Sequence, residues 1–62
     1  MNISDQITFR MDNGDSLRSG VITQLNVTHV DGFELDQSDL PAITVACADE
    51  SIWTVPVAWV LA

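Results

Sequence analysis

A small antiparallel all-β barrel of four or five strands, with no substantial helix, is the fold this sequence predicts. Three observations carry that expectation. Apolar residues recur with period two, as in Ile7, Phe9 and Met11 set against Thr8 and Arg10, which places alternate side chains on one face of a strand. Turn signals punctuate the runs at short intervals, at Asn13-Gly14, Asp31-Gly32 and Asp49-Glu50. No stretch carries apolar residues at helical spacing, and even the acidic segment from Asp31 to Asp39 lacks such a stripe.

The first strand runs out at Met11. Asp12-Asn13-Gly14-Asp15 then reads as a hairpin turn, because Asn and Gly both tolerate positive φ. Gly20 opens a longer strand whose expected inward face is Val21, Thr23, Leu25 and Val27. A glycine there marks a bend or a close backbone approach. Asp31-Gly32, flanked by Val30, Phe33 and Leu35, predicts a second hairpin, and residues 36–41 a loop. Ile43, Val45 and Cys47 resume the alternation up to a tight turn at Asp49-Glu50. The strand from Ile52 to Val57 should lie at a sheet edge or bend, because Pro56 has no N–H to give. The tail, Ala58 to Ala62, should make a 3₁₀ turn or a short last strand. The expected core is Ile7, Phe9, Met11, Val21, Leu25, Val27, Phe33, Leu35, Ile43, Val45, Ile52 and Val55, within a single domain spanning residues 1–62.

Composition excludes several kinds of work. Nine carboxylates face two arginines and no lysine, for a formal charge of −7. Such a surface repels phosphate backbones and anionic membranes, so nucleic acid is an unlikely partner and no membrane is expected. No apolar run approaches the roughly 20 residues of a membrane span, and no signal peptide is visible, so a cytoplasmic location is expected. A chain of this size buries only about 60% of its unfolded surface, so outside support is expected. Cys47 is the sole cysteine and His29 the sole histidine, which leaves neither an internal disulfide nor a closed zinc site. Self-association is the remaining support. Fifteen of the last 22 residues are apolar, on both faces of the closing strand, which points to a homo-oligomer interface at Ile52, Trp53, Val57, Trp59 and Leu61. The competing expectation is a tail folded across the open end of its own barrel.

The order of these features resembles the SH3-like small barrels, and among them most the Sm-like proteins. Residues 7–25, from Ile7-Thr8-Phe9-Arg10-Met11 through Asn13-Gly14 and Leu17 to Gly20 and Leu25, are similar to the first Sm motif. Residues 51–57, Ser-Ile-Trp-Thr-Val-Pro-Val, resemble the closing strand of the second motif in the bacterial RNA-chaperone branch. The resemblance implies a barrel that joins into a ring or dimer. The family's acidic-then-Asn uridine motif has no counterpart between Leu25 and Leu35, and its basic residue near the second motif is missing. An Sm-like RNA-binding oligomer is therefore an alternative rather than the leading expectation. Gly14 to Arg18 and Ser51 to Ala58 also echo the plasmid-borne type II dihydrofolate reductases. That likeness would imply a folate and nicotinamide enzyme, but the pore-lining stretch reads Ile-Trp-Thr-Val at 52–55 and the pore lysine has no match.

No catalytic constellation is expected. Ser51 or Cys47 would need His29 as base, and nothing in the sequence brings them together. The three glycines serve separate turns and form no phosphate cradle. Asp31, Glu34, Asp36 and Asp39 place four carboxylates in nine residues, without the spacing of a calcium loop. They either keep an apolar protein soluble or present an acidic face to a basic partner. The sequence thus predicts a non-catalytic protein–protein interaction module, without cofactor or metal, that binds a protein with a basic surface. An acidic nucleic-acid mimic, acting as the inhibitor or adaptor of a mobile element, is the alternative.

Overall fold

The computed structural model describes residues 1–11 and 16–61. Strands β1 (Gln6–Arg10), β2 (Leu17–Val27), β5 (Ala42–Cys47), β6 (Ile52–Pro56) and β7 (Val60–Leu61) form one antiparallel sheet in the order β6-β5-β2-β1-β7. The sheet curls into a half-barrel. β3 (His29–Val30) and β4 (Phe33–Glu34) make a separate two-stranded hairpin. Among the described residues the helical pieces are two 3₁₀ turns, Gln37–Asp39 and Val57–Trp59. No helix there is long and apolar enough to cross a membrane.

The strands follow from their residues. β5 and β6, Ala-Ile-Thr-Val-Ala-Cys and Ile-Trp-Thr-Val-Pro, are rich in the β-branched and aromatic side chains that suit a pleated, half-buried surface. Met11 N–H donates to the Ser16 carbonyl at 2.9 Å, extending the β1–β2 ladder. The Asn13-Gly14 turn lies outside the described residues. Asp31 and Gly32 both adopt positive φ, 52° and 84°, as a two-residue turn matched to strand twist requires. Asp49 and Glu50 fall in the tight β5–β6 connection, with Glu50 at φ 71°. Pro56 ends the edge strand β6, where its missing N–H costs no ladder bond. The segment 36–41, expected as a plain loop, contains the Gln37–Asp39 turn, and the Leu40–Pro41 bond is cis.

Phe9, Ile22, Ile43, Val45 and Val55 form the fully buried cluster. Ile7, Met11, Leu25, Cys47, Trp53, Val57, Trp59 and Val60 pack around it. Val27 and Ala42 are also buried. Four expected core residues lie outside: Val21, Phe33, Ile52 and Leu35, the last half-buried on a cleft and not in the core cluster. Val21 is 39% exposed, and Ile22 occupies its place. The pairing of β2 with β5 slips between Ile22 and Gln24 and again between Gln24 and Val27. Each slip adds one residue to β2, and the first moves the inward face from even to odd positions. Ile52 is 71% exposed because the β5–β6 register sets Trp53 opposite buried Val45 and Ile52 opposite Ala46. Phe33 is 77% exposed because its hairpin forms its own two-stranded sheet.

The tail adds an edge strand to its own sheet. The 3₁₀ turn at Val57–Trp59 redirects the chain after β6, and β7 pairs with Thr8 and Phe9 of β1. Trp59 and Val60 thereby pack on the core of their own chain.

Candidate interaction surface

The chain's polar chemistry concentrates at two ends of the β2–β5 pair. Cys47 lies opposite Gly20 and Ala42 opposite Val27, so the two ends are five residues of β5 apart, about 17 Å at strand spacing. The β5–β6 turn occupies one end. His29, the hairpin and the acidic segment follow Val27 at the other. A relay from His29 to Ser51 or Cys47 is therefore excluded by register alone.

At the β5–β6 end, Asp49 organises a brace. Its carboxylate accepts from the Ser51 backbone N–H at 3.1 Å and from the Ser51 hydroxyl, an Asx-type turn. It also pairs with the Arg18 guanidinium at 3.3 Å. Ser51 Oγ in turn accepts from the Trp53 indole N–H at 3.0 Å, and Arg18 Cζ lies 4.9 Å from the Trp53 ring centroid, within cation–π range. Trp53 also leans on Phe9, with centroids 6.5 Å apart. The Ser51 hydrogen bonds, followed by Arg18, hold Asp49 below the ordinary aspartate pKa. The brace is thus intact at neutral pH. It also occupies Ser51 as a structural hydroxyl and Arg18 as an internal cation.

At the other end, the hairpin carries an exposed aromatic residue in a segment rich in carboxylates. Phe33, Glu34, Asp31 and Asp36 are all exposed. The register sets Val30 opposite Phe33 and His29 opposite Glu34, so the apolar and polar pairs take opposite faces. His29 Nδ1 contacts Thr28 Oγ1 at 2.9 Å, and its Nε2 lies 3.7 Å from Glu34 Oε2. The longer distance exceeds a hydrogen bond, and with both groups exposed it contributes little. Leu35 N–H returns to the Thr28 carbonyl at 2.8 Å and anchors the hairpin's base.

Asp39 is placed differently from the other three acids. It ends the Gln37–Asp39 turn, whose geometry is set by its own N–H donating to the Asp36 carbonyl at 2.9 Å. Half-buried, it lines a cleft of about 120 Å³ with Leu35, Thr54, Pro56 and Trp59. A bond from Val57 N–H to the Pro41 carbonyl, 2.8 Å, ties the loop to the β6–β7 corner. Among the described residues, no three of the histidine, cysteine and acidic side chains converge on a point that could hold a metal ion.

Sequence reasoning assigned Asp39 to an acidic face and Trp59 to a subunit interface, and the fold brings the two to one cleft. Of the other residues read as interface, Ile52 stands exposed on β6. Trp53 and Val57 pack against the core, and Leu61 is 39% exposed beside an open hollow of about 610 Å³ that Met1, Ile7 and Val60 also line. Sequence reasoning missed the exposure of Phe33. Its signal was the shortness of the run beyond Gly32, with only Phe33 and Leu35 apolar before the acidic segment. No protein-family model, curated protein or solved structure matches the chain.

Proposed function

We propose that this protein is a non-catalytic interaction module whose contact surface is the acidic segment from Asp31 to Asp39, and whose partner is a protein with a basic surface. The observation that carries this reading is Phe33, a phenylalanine 77% exposed on a hairpin whose other exposed residues include Asp31 and Glu34. A large exposed ring has no folding role to explain it. Aromatic anchors ringed by polar groups are how compact interfaces concentrate their energy. The surrounding carboxylates select a cationic partner and speed its encounter. Arg18, held between Asp49 and Trp53, is unsuited to gripping phosphate.

Selection on an array of random peptides tests the reading. The expected binders are enriched in Lys and Arg and carry an apolar residue. Their affinity falls several-fold as salt rises from about 50 to 300 mM. Phe33→Ala, and separately Asp31→Lys with Glu34→Lys, each lower it about tenfold while leaving the melting temperature within a few degrees. Binders without charge preference, or affinity unchanged by both sets of substitutions, would overturn it.

A second reading, self-association, is favoured by the two free sheet edges. β6 and β7 each have one neighbour, and Ile52, 71% exposed, lies on β6 without a lysine or other edge-blocking charge within the strand. The likeness of residues 7–25 and 51–57 to the Sm-like proteins supports joining such edges into a ring or dimer. Light scattering should then give a discrete oligomer that Ile52→Lys converts to monomer. A native chain of monomer mass removes this reading.

A further inference from the structure

We propose that the cleft lined by Asp39 and Trp59 receives an arginine side chain from the basic partner. The inference rests on the interaction reading above and assigns it a specific pocket. At about 120 Å³, the cleft is well below the roughly 300–1,000 Å³ of small-molecule sites, and suits one side-chain head group. Leu35 and Pro56 give apolar walls, Trp59 an aromatic one, and the half-buried residue Asp39 an acidic one.

The chain itself displays what completes such a pair. At the opposite end, Arg18 places its guanidinium 4.9 Å from the Trp53 ring centroid and 3.3 Å from the Asp49 carboxylate. The Trp53 indole N–H is satisfied by Ser51. Tryptophan and aspartate are joined there by an internal guanidinium. Trp59 and Asp39 are the same two residue types brought to one cleft. Among the described residues, neither the Trp59 indole N–H nor the Asp39 carboxylate has a hydrogen-bond or ion-pair partner.

Arginine fits better than lysine. Its planar head can stack on the indole while forming a forked pair with the carboxylate, whereas an ammonium offers a point charge and holds its water more tightly. The net charge of −7 attracts the cation from a distance, and exposed Asp36, at the start of the same turn, adds to the local field. The apolar walls accept the aliphatic stem.

The experiment is an NMR titration of the full ¹⁵N-labelled chain with a Gly-Arg-Gly-Arg-Gly peptide, with its lysine counterpart run in parallel. The Trp59 indole N–H signal should shift to saturation while that of Trp53 stays in place. The lysine peptide should bind several-fold more weakly. Asp39→Asn should lower the arginine peptide's affinity about tenfold or more, with an unchanged melting temperature to show that the fold is kept. A Trp59 signal that stays fixed while Asp31, Glu34 and Asp36 amides shift would overturn the cleft and leave the acidic module standing. Equal affinity of native and Asp39→Asn chains would also overturn it. A spectrum unmoved anywhere would remove both readings.

Discussion

Phe9→Ala should leave the chain without a cooperative unfolding transition. Phe9 is fully buried at the centre of the core, on the strand that joins β2 on one side to β7 on the other. Truncating a buried phenylalanine costs about 3–5 kcal/mol, through lost transfer energy and the cavity left behind. A single core in a chain below about 70 residues rarely supplies more than about 3–5 kcal/mol in total. The loss therefore equals the margin. Trp53, whose ring packs against Phe9 at 6.5 Å, reports the outcome. The combined emission of Trp53 and Trp59, both packed on the core, should shift to the red at room temperature, and the far-ultraviolet circular dichroism should show no sigmoidal melt. A melting temperature within ten degrees or so of native would mean that the surrounding apolar side chains collapse into the cavity, and that Phe9 is not the keystone of the core.

Gly20→Ala should be the most damaging single-methyl change in the described sheet. Gly20 is buried in β2 opposite Cys47. A Cβ built there would meet the Ala46 carbonyl oxygen at 2.6 Å and a Val45 methyl at 2.6 Å. The methyl can turn, but the carbonyl belongs to a neighbouring strand fixed by its ladder, so β2 and β5 must part locally. Overpacking of this kind costs about 1–3 kcal/mol, which in a domain this small lowers the melting temperature by roughly 4–8 °C per kcal/mol. Gly32→Ala is the internal comparison. There an added Cβ meets nothing within 4 Å, and the cost is only that of φ +84°, about 1–2 kcal/mol, confined to a peripheral hairpin. If Gly20→Ala melts no lower than Gly32→Ala, the close approach of the strands is looser than the packing implies.

Gly20 also illustrates what the sequence made legible. Gly20 was expected to open its strand and instead lies inside β2, which begins at Leu17, but the close backbone approach that a strand glycine signals is there. The Asp31-Gly32 hairpin, the Asp49-Glu50 connection, the edge position of Pro56 and the 3₁₀ turn in the tail were readable for the same reason. Each rests on one or two residues whose backbone preference is local. The failures are non-local. Val21 and Ile22 are both apolar, and which one faces inward depends on an extra residue in β2 that is defined only against β5. Asn26, at φ 54°, a region Asn visits more readily than most residues, hints at the second slip, between Gln24 and Val27, but not at the first, which decides between Val21 and Ile22. Ile52 and Trp53 presented the same ambiguity, because adjacent apolar residues leave the phase of the strand undetermined.

The acidic segment was legible as a charge run and illegible as a site. Four carboxylates in nine residues announce themselves in any sequence. Three of them stand in solvent while Asp39 is half-buried and lines a cleft with Trp59, beside one short 3₁₀ turn and a loop tied down by the Val57–Pro41 hydrogen bond. Only the folded chain brings residue 39 to residue 59.

The buried core has a gap in its sequence coverage. Every buried hydrophobic residue lies at or before Val27, or at or after Ala42. The fourteen positions between them add no fully buried side chain, although Leu35 and Asp39 are half-buried and the Pro41 carbonyl holds Val57. Substitutions at the exposed positions of that interval should change what the protein presents to a partner at little cost to the half-barrel's core. A lineage of such chains would diverge in binding preference well before it diverged in architecture. An engineer would transplant a different recognition hairpin between Thr28 and Leu35, whose backbone bond anchors its base, and keep the Pro41 tie to Val57.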